Sequence, residues 1–572
     1  MSRRLTGLMA LCLALTALTG CGKQAAEASV PVGSFGTTEQ SSQQDSTQES
    51  ETVTPSGTFS MPYNGSYGWD PYACKSLENQ AVMNLIYQGL FTINNDFEAE
   101  PVLCREFTLS DDGLTYTITL QSAYFSNGKA LDAEDVIYSL SQASTSELYQ
   151  ERFTDIGSYE ATSTDTLVIH MNTANDRLPC LLNFPIIPSQ SSTSSGPAGT
   201  GPFIRTGEVL QLDPNWWQGD SNVQFQTVNL YSSSSAEDTR DNFEMDNVHF
   251  IYNNPMASSA ATFHCDYELW NSKNTVMQYI GFNMTTGLCS SRDIRTAISK
   301  AIDRADIAES VYHNFADPTE LPVPPTSSMY SSELAKNYQF DANAALDALL
   351  GNDLFTLPED DPRRTDGPGA QNLEPAAATT AEDSTLEEAT TPDAAADLTD
   401  AGTDAQGTST STDNTEEAPS YNPLNMIVLA GNLYRTTAAK QAADDLADVG
   451  FTVTVNVLEE AEYFSALEAG NFDLFYADVC LTPALDLRPL VKASGDLNYG
   501  RIQEDSTLND LLSSALENSG NRYDLYQYIM DHGYICPILF QNNAVFTTRG
   551  VFQGLNPTPG NLFYQIENIT VH

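Results

Sequence analysis

Between Met426 and Ala477 the chain alternates strand and helix signals in the order that a parallel sheet requires. Met426 to Leu429 is a short apolar run of the kind carried by a buried strand. Thr437 to Val449 is an Ala-rich helical stretch, and Gly450 stands where such a helix stops. Phe451, Val453, Val455 and Val457 alternate as a second strand. Glu459 to Ala469 reads as a second helix ended by Gly470, and Asp473 to Ala477 as a third strand. Strand, helix, strand, helix, strand predicts a parallel α/β unit with right-handed crossovers. In such sheets ligands sit outside the carboxyl ends of the strands, so the segments after Phe91 and after Asp473 are the places to look for a site.

Elsewhere the signals are local but legible. Asp111-Asp112-Gly113 marks a turn, and Leu114 to Leu120 then alternates apolar residues with Thr, as a half-buried strand does. Asn127-Gly128 is another turn. Asp132-Ala-Glu-Asp135 resembles a capped helix start running into Val136 and Leu140, with acids at the positive end of the dipole. Ile294, Ala297, Ile298 and Ala301 fall at helical spacing.

The first twenty-one residues bear on where the chain works. Arg3 and Arg4 precede a mostly apolar run from Leu5 to Leu18, and Leu18-Thr-Gly-Cys21 follows. This is the pattern of a secretory signal peptide, and the run is shorter than the ~20 residues a membrane-spanning helix needs. Its last four residues resemble a bacterial lipobox, which makes Cys21 the lipidated N-terminus of the mature chain; the alternative is an ordinary signal peptide with an incidental cysteine. Residues 1–20 are thus a lipoprotein signal peptide and residues 21–58 a flexible tether, rich in Ser, Thr, Gln, Gly and Glu with Phe35 as its aromatic. The expected location is the outer face of the cytoplasmic membrane, or the periplasm in a host with an outer membrane.

The formal net charge is −51 over 572 residues. Phosphate binding needs clustered Lys and Arg, so nucleic acid is excluded as a partner. Residues 351–420 concentrate the acidity: they hold two cations, Arg363 and Arg364, one aromatic, Phe355, and no periodicity. They read as a disordered acidic insertion. Of nine cysteines, Cys12 leaves with the signal and Cys21 carries lipid. Cys74, Cys104, Cys180, Cys265, Cys289, Cys480 and Cys536 remain, an odd number with no Cys-x-x-Cys spacing. They read as small buried apolar residues, with one or two disulfides left open.

Several segments together resemble one family, the extracellular solute-binding lipoproteins of peptide-type (oligopeptide, dipeptide, nickel) ABC importers, solute-binding family 5. They are Leu85-Ile-Tyr-Gln-Gly-Leu-Phe91, the run Leu109 to Leu120, and Phe125-Ser-Asn-Gly-Lys-Ala-Leu-Asp-Ala-Glu-Asp-Val-Ile-Tyr-Ser-Leu140. Gly199-Thr-Gly-Pro-Phe203, Pro214-Asn-Trp-Trp217, Phe282-Asn283 and Arg295 to Arg304 follow in the family's order. The resemblance covers most of residues 59–572. It implies an α/β fold of two lobes, periplasmic-binding-protein-like, with an additional small α/β domain. Lobe I would be residues 59–76, 178–277 and 533–572, the small domain 77–177, and lobe II 278–532, interrupted by the acidic insertion. It also implies a monomer without cofactor or bound metal that captures a peptide or peptide-like molecule and delivers it to ABC permease subunits.

By position, Asp478 resembles the carboxylate that pairs with a peptide's free amino terminus, although Val479 replaces the usual Tyr and the stretch is shorter. The alternative is a solvated acid at a strand end. Phe475 and Tyr149 are pocket candidates on position, and Asp486 is the next carboxylate beyond Asp478. Trp216 and Trp217 are placed in the lobe's core rather than the cleft. Two other functions stay open: a sensory or adhesion receptor that kept the fold, and a binder of a metal chelate or saccharide. Enzyme readings have little support. The six histidines are scattered, there is no Gly-x-Ser-x-Gly elbow or phosphate loop, and Ser126-Asn-Gly-Lys129 lies on a turn rather than a helix start.

Overall fold

The computed structural model describes residues 57–193, 196–258, 260–358, 361–364 and 421–572. The signal peptide, Cys21, nearly all of the tether and most of the acidic insertion lie outside the described residues.

Five strands and two helices position the site: β1 (Tyr267–Phe282), β2 (Pro423–Leu429), helix α1 (Leu433–Asp448), β3 (Thr452–Leu458), helix α2 (Glu460–Ala469), β4 (Leu474–Cys480) and β5 (Ile535–Thr548). The parallel unit read from the sequence is present. β2 pairs in parallel with β3 from Pro423↔Thr452 to Leu429↔Leu458, and with β4 from Met426↔Leu474 to Val428↔Tyr476. Helix α1 begins four residues before the expected Thr437. The Asn432 side chain accepts from the Arg435 amide at 3.0 Å and caps the first turn, which an Ala-based reading overlooks. Ala438, Ala439, Ala442, Ala443 and Leu446 form its buried face. Gly470 closes α2 in the left-handed region, at φ +74°.

β1 and β5 are unusually long, sixteen and fourteen residues. They pair antiparallel from Tyr267↔Thr548 to Gly281↔Ile535, with a break in register between Lys273 and Met277. Before the break, β5 takes Phe250–Asn253 as its other neighbour; beyond it, β1 takes β4, from Val276↔Cys480 to Phe282↔Leu474. One sheet therefore enters two bodies of packing. The expected boundary between 277 and 278 falls inside β1, and the one at 532/533 falls just before β5. A strand pair this long serves both sides, so neither edge coincides with a loop.

The first body holds a four-stranded sheet ordered Gly57–Tyr63, Phe225–Ser232, Val209–Leu212, Phe203–Thr206, and another ordered Cys104–Leu109, Thr115–Leu120, Thr166–Met171, Ile156–Ala161. In Thr115–Leu120 the residues Tyr116, Ile118 and Leu120 are buried while the threonines are half-buried, the alternation the sequence carries. Asp132 caps the helix Ala133–Ala143 in a reciprocal box with Asp135, and Lys129 pairs with both acids. Apolar residues of both sheets share one core, in which Tyr116, Val136 and Leu140 join Phe59, Phe203 and Phe225. Trp216 and Trp217 pack against this cluster, their indole N–H groups donating to Thr200 O. The second body is built on β2, β3 and β4, with Ile280, Met426 and Leu474 on one side and Met277, Phe475 and Tyr526 on the other.

The start of the acidic segment differs from its expected character. Phe355 and Leu357 are buried, and Phe355 meets Phe451 edge-on at 5.1 Å. Arg363 pairs with Asp361 at 2.6 Å and donates to Ala447 O at 2.8 Å, placing a cation at the negative end of α1. Averaging composition over the whole segment concealed these three anchors. Among the described residues all seven cysteines are unpaired: five are buried, Cys265 is half-buried and Cys480 is exposed.

Candidate functional site

A cavity of about 880 Å³ opens at the carboxyl ends of β2, β3 and β4. Leu429 ends β2 and Ala430 to Asn432 follow it, Glu459 and Glu460 follow β3, and Asp478 to Pro483 finish and follow β4. This is where parallel strands leave room for a ligand, because the chain turns away into helices there. The facing wall comes from the first body, with Glu147, Leu148, Glu151, Arg152, Thr154 and Asn183. Asn274, Thr275 and Tyr279 of β1 line the cavity between the two.

Asp478 lies on this lining and already has a partner. Its Oδ1 is 2.5 Å from Arg435 Nη1, with side chains 20 % and 11 % exposed. Arg435 stands in the first turn of α1, where its Nη2 donates to Leu429 O at 3.1 Å and Ala430 O at 3.2 Å; its Nε is buried without a partner. Asp478 Oδ2 is the carboxylate oxygen left for another donor. Phe475 is buried in the wall, edge-on to Tyr279 at 5.8 Å and to Phe472 at 5.2 Å. Gly281 opposite it is required, since a Cβ there would lie 2.0 Å from the Phe475 ring. Burial, and then the neighbouring Tyr463, Tyr499 and Asp478, push the Tyr279 phenol well above its ordinary range, so it is a neutral hydroxyl.

Asp486 also lines the cavity and is engaged by Arg488 at 2.7 Å. Arg488 in turn holds Asp155 of the first body through Nη1 at 3.0 Å and Nη2 at 2.5 Å. Burial works against the Arg488 charge, but hydrogen bonds to Asp155 and Asp486 outweigh it and raise the pKa. Tyr149 is placed differently. Its ring packs against Tyr72 and Phe184 behind the lining, and the Arg152 guanidinium lies over its face at 4.7 Å. The structure therefore brings Asp478, Phe475 and Asp486 to one cavity and sets Tyr149 one layer back.

Sequence reasoning overlooked Arg435, Arg152 and Arg488. The available signal was scarcity: with 25 Lys and Arg against 76 Asp and Glu, a cation held close to apolar surface is informative. Lys129 pairs with Asp132 and Asp135, which commits it to the helix start. Among the described residues no three His, Cys, Asp or Glu side chains converge as a metal cluster, and no helix is long and apolar enough to cross a membrane.

Residues 98–484 match the family model of bacterial extracellular solute-binding proteins, family 5. The chain belongs to this family. As a family 5 solute-binding protein it is a binding component rather than an enzyme. The glutathione-binding protein GsiB of Salmonella paratyphi A is 28 % identical over 291 residues, which is 47 % of this chain and 56 % of that protein. GsiB of Escherichia coli O1:K1 is 25 % identical over 304 residues, 49 % and 58 % of the two chains. The matched region spans little more than half the length of these relatives. Among solved structures, the substrate-binding protein CtaP of Listeria monocytogenes superposes with a TM-score of 0.64 at 16 % identity, over 91 % of this chain and all of that one. The murein tripeptide binding protein MppA in an unliganded open form gives 0.67 at 15 % identity, over 91 % and 98 %. These likenesses establish the α/β periplasmic-binding-protein-like fold.

Proposed function

We propose that this family 5 solute-binding protein is the extracytoplasmic receptor of an ABC importer. It is held to the membrane by lipid on Cys21, captures a short peptide or peptide-like solute, and delivers it to permease subunits. The observation that carries the reading is the cavity itself. It is walled by both bodies, lies at the carboxyl ends of three parallel strands, and falls within the roughly 300–1,000 Å³ of small-molecule sites. The two bodies act as lobes, and the β1–β5 pair that joins them, with its register break at Lys273–Met277, serves as the hinge. Closure removes the ligand from water and replaces its hydration by protein hydrogen bonds.

Asp478, Phe475 and Asp486 are the ligand-binding residues in this account. A ligand ammonium engages the free Oδ2 of Asp478, sharing the carboxylate with Arg435, while Phe475 and Tyr279 supply apolar wall. The names of the relatives make glutathione the first probe. Mass spectrometry of small molecules released from the full chain, purified in detergent from its host, tests the reading. Recovery of peptides or glutathione is expected; a saccharide or a metal chelate in their place overturns it.

A further inference from the structure

Among the described residues the buried and half-buried arginines are spoken for, with one exception. Arg435 is paired with Asp478, Arg488 with Asp155 and Asp486, and Arg177 with Glu98. Arg295, Arg304 and Arg522 are spent on backbone carbonyls. Arg152 has neither arrangement. It lies over the Tyr149 ring, its Nη1 donates to Asn183 Oδ1 at 2.5 Å, and among the described residues no carboxylate forms an ion pair with it. A guanidinium carries five N–H donors in a planar fork, so most of its capacity is unused.

This cation lines the cavity, and Cys480 at the end of β4 lines it from the other body. The exposed acids of the lining, Glu147, Glu151, Glu459, Glu460 and Asp496, are screened by water. Burial pulls the Arg152 pKa down, although the side chain is only half-buried and its unbonded N–H groups still meet the water of the cavity. A ligand anion that displaces this water would give the fork a charged acceptor. Tyr149 below and Asn183 beside the guanidinium fix its plane, which pre-orients the fork.

We propose that Arg152 receives a carboxylate of the ligand, so that the cavity selects solutes with a free carboxylate on the side facing the first body. The assignment rests on the peptide reading above and adds to it the end at which the ligand is read. Tyr149 acts through Arg152 as a positioning residue rather than as a contact.

The test uses the full chain in detergent and isothermal titration with trialanine, its C-terminal amide and glutathione. The wild type should prefer trialanine to the amide by roughly tenfold or more, the value of a charge-assisted hydrogen bond. Arg152→Gln should lose that preference while binding the amide as the wild type does, and Arg152→Lys should keep part of it. Equal affinity of the wild type for acid and amide overturns the assignment and leaves the peptide reading standing. So does an Arg152→Gln variant that loses both probes equally with a lowered Tm, since that is a structural role. Binding of none of the three probes overturns the peptide reading and the assignment with it.

Discussion

Arg488 and Asp155, 333 residues apart in the chain, meet in a two-point ion pair that ties the two bodies together. Asp155 precedes the strand Ile156–Ala161 of the first body, while Arg488 follows β4 in the second and also holds Asp486. The three side chains are 20 %, 13 % and 16 % exposed, in the order Arg488, Asp155, Asp486. Such a triad is neither a screened surface pair nor a fully desolvated one, and its geometry is that of a guanidinium fork on carboxylates. The Ser519 amide, which donates to Asp176 at 2.7 Å, makes a second tie between the same two bodies.

Asp155→Asn should loosen this clasp while leaving the Arg488–Asp486 pair intact. The expected outcome is a larger ligand-free radius of gyration by X-ray scattering and ligand affinity weakened by roughly tenfold, because closure then stabilises the bound form less. Unchanged scattering and affinity would show that the pair is incidental to closure.

The Arg435–Asp478 pair alters what a carboxamide at position 478 does. Asp478→Asn removes a ligand contact and also strands a buried guanidinium, so stability falls together with binding, by about 1–3 kcal/mol for a pair that water still reaches. Combining it with Arg435→Met should restore much of the Tm without restoring preference for a free amino terminus over its N-acetylated counterpart. If the double variant recovers that preference, Asp478 is a structural acid.

The local grammar of this chain was legible and its long-range ionic contacts were not. Asp132 and Asp135, the threonine alternation before Leu120, and Gly450 and Gly470 act on neighbours within a turn or two, so their chemistry is written in adjacent residues. The parallel order of β2, β3 and β4 followed from the alternation of elements. Arg435 meets Asp478 only because α1 returns antiparallel over β4, and Arg152 meets the cavity only through the packing of the first body. No spacing rule brings such residues together. Phe355 and Arg363 were hidden for another reason, since a compositional window averages over the few residues that anchor its edge.

Asp445 offers a pH test separate from the ligand. Burial, opposed by the Asp303 amide that donates at 2.9 Å and aided by the charges of Asp303 and Asp306, pushes its carboxyl up to about 7. The folded state therefore holds a proton that the unfolded state releases near pH 4, and stability falls as pH rises from about 4 to about 7. Asp445→Asn keeps the acceptor oxygen and removes the ionisation. It should raise Tm at pH 8, by an amount worth up to about 3 kcal/mol, and change little at pH 4. A uniform shift at both values would deny the protonation its role.

Cys21→Ala should release the chain from membranes, because lipid on that thiol is the proposed anchor. Sedimentation of the variant with membranes after a high-salt wash would be inconsistent with a lipid tether.

The acidic segment divides into an anchored start and a remainder whose composition offers no apolar pattern. Replacing residues 365–417 by a short Gly-Ser linker should leave Tm nearly unchanged, since loop length alters closure entropy by only about 0.6 kcal/mol per doubling. Phe355→Ala should behave otherwise. Its ring is buried against Phe451 within the second body's core, and emptying such a site costs about 3–5 kcal/mol. Arg363→Ala should cost less, about 0.5–1 kcal/mol, for a cation at a helix C-terminus. Calorimetry on the three variants separates the cases: a fall of several degrees on replacing 365–417 would mean that those residues pack on the body after all, and a silent Phe355→Ala would mean that the anchored start contributes nothing to it.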